Sequence, residues 1–208
     1  MIRKMVWTAA LLLSGMTGAQ AWGASVLQCV PYARTVSGVD LYGDALNWWD
    51  QADGRFKRGH APKKGAVLAF RAFGPMALGH VAVVSRVLDD RRILIRHANW
   101  SVPGAIEEDV LAIDVSDQGD WSQVRVWHSP TGQMGARINP TFGFIYPSKA
   151  KLHDFTPDPA LGASIRFARV DADRWDREGA PVRAVRTAQA IVEAKAERRG
   201  RAPHLRTD

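Results

Sequence analysis

The sequence predicts an α+β domain, with one or two short helices near the N-terminus followed by a run of antiparallel strands. Three observations carry this. Residues 43–54, GDALNWWDQADG, place Ala45, Leu46, Trp48, Trp49 and Ala52 at helical spacing and end on Gly54. Residues 80–87 and 91–100 are β-branched runs joined by the polar turn Leu88-Asp89-Asp90, which is a hairpin signal. Residues 123–128, QVRVWH, alternate apolar with polar, and 142–146, FGFIY, read as a last strand. Helices first and strands afterwards is the α+β pattern.

Taken in order, the chain begins with Arg3 and Lys4, an apolar run from Met5 to Leu13, and the triplet Ala19-Gln20-Ala21. Charge, apolar stretch and a small-residue A-x-A site predict a secretory signal peptide over 1–21, cleaved after Ala21. The run is too short to span a bilayer, and no later stretch approaches the roughly 20 apolar residues a spanning helix needs. A soluble, exported mature protein is therefore expected, periplasmic or secreted. Residues 29–34 open a first helix, with Ser25 upstream as a candidate cap. After the helix at 43–54, HAPKKG at 60–65 is turn chemistry leading into the strand-length apolar run GAVLAF at 65–70. The hairpin and the two later strands complete a domain over 22–150. Residues 151–208 are rich in Ala, Arg, Asp and Pro, and only 182–199 has helical periodicity. They read as a basic tail, partly helical or disordered, whose removal after Lys149 should leave the fold intact.

The chain has 208 residues, enough for one core of ordinary size. Its net charge of +7 predicts attraction to polyanions. No familiar nucleic-acid motif is present. For an exported chain, anionic envelope polymers met by the basic tail are the better match.

Cys29 is the only cysteine. Oxidising compartments favour cysteines in pairs, so an unpaired one in an exported chain demands a reason. Lipidation would want a small residue before the cysteine, and Gln28 stands there. An inert buried thiol and a reactive nucleophile remain. The histidines decide between them. Of six, His80 begins one hairpin strand and His97 ends the other, so the two can approach across an antiparallel pair, facing a cysteine in the first turn of a helix packed on that sheet. Cysteine-based acyl transfer needs this set: a thiolate, an imidazole beside it, and a third polar group holding the imidazole in its working tautomer. A nucleophile must stay unpaired. The helix N-terminus and an adjacent imidazolium would lower the thiol pKa. Asp40, Asp44 and Asp50 lack a calcium-loop spacing and read as caps and solvated faces, so neither metal nor other cofactor is expected.

Gln28-Cys29, Gly79-His80-Val81-Ala82-Val83-Val84 and His97-Ala98-Asn99-Trp100, with the turn 62–65 before GAVLAF, resemble the CHAP family of cysteine, histidine-dependent amidohydrolases and peptidases, within the papain-like NlpC/P60 superfamily. The resemblance runs from Ser25 to Tyr146. It implies a papain-like fold with N-terminal helices on an antiparallel sheet, Cys29 as nucleophile, His80 as general base, and His97 or Asn99 as the group orienting the base. Family members often carry an acidic residue where this chain has His97; Asn99 matches. The Cys29 backbone N–H, with the Gln28 side chain behind it, is the oxyanion-hole candidate. The implied activity is cleavage of peptidoglycan amide bonds. Two other classes stand beside it: a non-catalytic CHAP-like binding or assembly module, and an exported thiol-redox protein acting by mixed disulfide.

Overall fold

The structure is a computed structural model, and it describes residues 25–156, 166 and 167. The signal segment 1–21, the helical stretch 182–199 and His204 lie outside the described residues.

The described residues form two α-helices, α1 (Cys29–Ser37) and α2 (Trp48–Gln51), and eight strands: β1 (Lys57–Gly59), β2 (Val67–Phe70), β3 (His80–Asp89), β4 (Arg92–Ala98), β5 (Ile106–Asp114), β6 (Gln123–His128), β7 (Gln133–Met134) and β8 (Asn139–Tyr146). The pairings between them are antiparallel, in the order β1-β8-β2-β3-β4-β5-β6-β7. β8 also pairs with β6, through Gln123 opposite Pro140 and Val124 opposite Asn139. That second pairing closes β8, β2, β3, β4, β5 and β6 into a barrel, with the short β1 and β7 attached outside it.

Closure explains why the strand sequences read as continuous apolar runs. All four residues of β2 are buried, because Leu68 and Phe70 share one core with Ala82, Val84, Ile95, Trp121 and Phe144, whereas Val67 and Ala69 share another with α1. Tyr32, Ala33 and Val36 of α1 bury beside Val81 and Val83 of β3. A strand covered on both faces has no polar face to alternate with. The expected α+β layout is therefore present in coarse form, but strands dominate, the sheet is closed, and the helices are few and short.

Three boundaries differ from expectation. The helix expected over 43–54 is a 3-10 turn at Ala45–Asn47 followed by the single turn α2. Trp48 is buried and Trp49 stacks on Phe142 at 5.9 Å, so the apolar spacing reflects core contact more than helix length. α1 is capped at Gln28, in extended conformation and without a side-chain cap bond, and Ser25 plays no part in it. β5 was not anticipated at all. Its nine buried residues include Glu107, Glu108 and Asp109, and an acidic triplet reads as solvated in a sequence.

The chain beyond β8 does not leave the domain at residue 150. Leu152 and Phe155 pack on the α1 core, Phe155 lies 4.9 Å from the Tyr32 ring, and the His153 N–H donates to Val36 O at 2.9 Å. Arg166 donates to Glu108 Oε1 at 3.0 Å and Phe167 N–H to Ile106 O at 3.0 Å. These apolar residues follow no period, which is why the sequence hid them. Among the described residues no helix is long and apolar enough to cross a membrane.

Candidate active site

Cys29 is the first residue of α1, so its side chain lies at the helix end where backbone N–H groups have no intrahelical partner. The backbone N–H groups of Val81, Val30 and Cys29 itself lie near its thiol and favour its ionised form. Val81 follows His80, which ties the thiol to the start of β3. The tie depends on Gly79. Its φ is +69°, and a Cβ there would meet Leu46 N at 2.8 Å and Phe70 O at 3.0 Å, so only glycine turns the chain into β3 at this approach.

His80 is buried, with Phe70 and Trp100 rings 5.5 and 4.8 Å from its own. Its Nε2 is 3.1 Å from His97 Nδ1. The nitrogen that remains for the cleft is Nδ1. The hairpin register brings the two histidines together, since His80 begins β3 and His97 is the next-to-last residue of β4, as the sequence expected.

His97 is fully buried, and its other nitrogen, Nε2, lies 3.0 Å from Glu107 Oε2, which is itself fully buried. The approach is within hydrogen-bond distance, but the N–H···O angle is too bent for a well-formed hydrogen bond. Ser101 Oγ donates to Glu107 Oε1 at 2.8 Å. A bulge delivers this carboxylate. The β4–β5 register shifts between Ile95 and His97, Asp109 adopts φ +57° and pairs with Arg96 at 3.0 Å, and Glu107 comes to lie opposite His97. Sequence reasoning missed Glu107. The available signal was an acidic triplet inside a strand-length run with apolar flanks, because a buried carboxylate requires partners.

Asn99, the other orienter candidate, is not at the imidazole. Its Nδ2 donates to Gln28 Oε1 at 2.8 Å and its Oδ1 accepts from Gly104 N at 2.9 Å. With φ +60° it closes the turn after β4, a conformation that asparagine tolerates. Gln28 Nε2 in turn donates to Val26 O at 3.0 Å, which leaves the second amide N–H of Gln28 for the cleft. Gln28, Cys29, His80, Asn99 and Trp100 line one cleft of about 1380 Å³, which Pro75–Leu78 and residues around β7 also line.

The electrostatics differ from expectation at the thiol. Burial pushes the Cys29 thiol above its ordinary value, and the three backbone N–H groups only offset this. Burial, reinforced by His97, holds His80 well below its ordinary value. Both groups therefore rest neutral near pH 7, and the thiol is not acidified by an imidazolium as the sequence led one to expect. Burial alone would raise Glu107, but His97 and the Ser129 and Ser101 hydroxyls outweigh it and hold the carboxyl below its ordinary value, ionised at neutral pH.

A test follows from the thiol. The thiolate fraction grows as pH rises toward a pKa above 9.0, so alkylation of Cys29 by iodoacetamide should be slow at pH 6 and keep accelerating through pH 9. A rate already at its plateau below pH 7 would contradict the buried, neutral thiol.

A thiol and an imidazole on one cleft, the imidazole backed by a second histidine and a carboxylate, is the equipment of thiol-dependent hydrolysis. Residues 19–99 match the family model of the CHAP domain, a stretch that holds Cys29, His80, His97 and Asn99. Over that stretch the chain is similar to the CHAP family, which is hydrolase-like, related to amidases and peptidases, and papain-like in fold. No curated protein matches the chain.

Proposed function

We propose that the protein is an exported cysteine amidohydrolase or endopeptidase that cleaves amide bonds of peptidoglycan. The observation that carries this is the placement of Cys29 and His80 on one cleft with His80 Nε2 taken by His97, so that the free Nδ1 is the nitrogen available to the thiol. The match of residues 19–99 to the CHAP domain supports the hydrolytic class, and the N-terminal charge, apolar run and A-x-A triplet support export.

In this reading His80 Nδ1 removes the Cys29 proton as sulfur attacks the amide carbon, so a neutral thiol and a neutral base are the correct resting pair. The Cys29 N–H and the free Gln28 amide N–H receive the oxyanion. The His80 imidazolium then protonates the leaving amine, and water, deprotonated by His80, releases the acyl group from sulfur. The basic tail suits attachment to anionic envelope polymers. Incubating the protein with purified sacculi and weighing the released fragments by mass spectrometry tests the reading and names the bond. Soluble fragments with a new amine and carboxyl terminus are expected; unchanged sacculi would refute it.

Asn99 enters this scheme through Gln28 and not through the imidazole. Asn99→Asp keeps the acceptor for Gly104 and the tolerance for positive φ but removes the donor to Gln28, so it should slow turnover by about 1 to 3 kcal/mol of barrier, the scale of one hydrogen bond to a forming charge. Asn99→Ala should add a loss of stability. Wild-type kcat in Asn99→Asp would detach Gln28 from the oxyanion.

A further inference from the structure

We infer that Glu107 is a positioning residue that fixes which nitrogen of His80 acts as the base. This rests on the reading of Cys29 and His80 as nucleophile and base. The path is a chain of single choices. Glu107 is fully buried, 3.0 Å from His97 Nε2, and accepts from Ser101 Oγ at 2.8 Å. An ionised carboxylate accepts only, so His97 must carry its proton on Nε2. A neutral His97 then has a lone pair on Nδ1, and at 3.1 Å it can only accept from His80 Nε2. His80 therefore carries its proton on Nε2, and the lone pair on Nδ1 is left for the thiol. Reverse any one choice and His80 presents an N–H to the sulfur, which is useless for taking a proton.

Two neutral imidazoles in contact can hand the shared proton either way with similar energy, so the pair alone does not set its own direction. The hydroxyl of Ser101 donates to the carboxylate and thereby keeps it an acceptor toward the ring. The bulge at Asp109 brings Glu107 opposite His97 on the neighbouring strand, so the positioning is built into the backbone of β5. When His80 becomes an imidazolium during the reaction, the same carboxylate offsets its charge through His97, as a buried aspartate does behind a catalytic histidine.

The test reads the tautomer directly. The full chain, labelled with 15N-histidine, is examined at pH 7.5 by long-range proton–nitrogen correlation, with His80 assigned from its loss in His80→Asn. Wild type should show Nε2–H at both His80 and His97. In Glu107→Gln the amide can donate to His97 Nε2, which sends the proton to Nδ1 and pushes His80 to Nδ1–H. The His80 signals should shift accordingly, and kcat should fall about 10- to 100-fold with little change in KM, the scale seen when a group behind a functional histidine is lost. Glu107→Asp should restore the wild-type tautomer and part of kcat. Nδ1–H on His80 in wild type, or unchanged histidine signals with kcat within about twofold in Glu107→Gln, would overturn the inference. The wild-type spectrum decides even if Glu107→Gln does not fold. It also needs no substrate: absence of amide hydrolysis with the expected tautomers would defeat the functional reading alone.

Discussion

Cys29→Ala is expected to abolish amide hydrolysis, His80→Ala to do the same, and the double variant to be no worse than either. Nucleophile and base act as one unit, so each loss alone should cost at least about 1000-fold in kcat and the losses should not add. Far-ultraviolet circular dichroism should show all three folded, since neither residue supplies a large apolar side chain to the core. His97 touches His80 but not the cleft thiol, and it should be intermediate. His97→Asn keeps a polar group against Glu107 and should lower kcat by roughly 100- to 10,000-fold, the range in which loss of an orienting partner falls. His97→Ala removes the only ring between His80 and a buried carboxylate and should also destabilise. Wild-type turnover of a defined muropeptide by Cys29→Ala would sink the enzyme reading and leave the binding-module class in its place.

Truncation after Lys149 should destabilise the domain by about 2 to 3 kcal/mol, against the expectation drawn from the sequence. The deletion removes Leu152 and Phe155 from the α1 core, a ring contact with Tyr32, and the Arg166 partner of Glu108. Phe155 is only partly buried, so its share falls below that of a full aromatic burial, and the half-exposed Arg166 pair adds little. Because Tyr32 sits on the helix that begins with Cys29, turnover should fall along with the denaturant midpoint. An unchanged midpoint would return residues 151–167 to the status of an appendage. Truncation after Phe167 separates this local contact from whatever the remaining tail does.

The parts of the site that were legible in the sequence are those fixed by local pattern. A hairpin whose turn is marked by Asp89 and Asp90 places His80 and His97 at its ends, and alternation then carries both to one side. Cys29 was legible as the first residue of a helix. Three things were not. Barrel closure rests on β8 meeting β6, a pairing that no local window contains. The direction of the thiol pKa depends on burial, which is a property of the packed molecule. Glu107 was hidden because residues 107–109 look like a charged loop, and only the assembled sheet reveals that each carboxylate has a partner: His97 for Glu107, Tyr32 and Arg166 for Glu108, Arg96 for Asp109. Asn99 was legible only as one of two candidates for orienting the base, since its motif position says nothing of the +60° backbone on which it bonds Gln28.

The double pairing of β8 has a consequence for how the molecule acquires its shape. β8 is the last of the described strands, yet it fills the slot between β1 and β2 and also seals the ring against β6. β2 in turn is the neighbour that holds β3, where His80 begins. Ordering of His80 thus waits on contacts between residues as far as 78 positions apart in the chain, Val67 with Ile145. Such a topology folds slowly for its size, because the entropy of closing long loops is lost before the pairings that reward it are made. Until residues 139–146 arrive, the strand edges of β2 and β6 stand open and the thiol and imidazole have no fixed relation, so a nascent or partly unfolded chain carries Cys29, His80 and His97 without the cleft that sets them side by side.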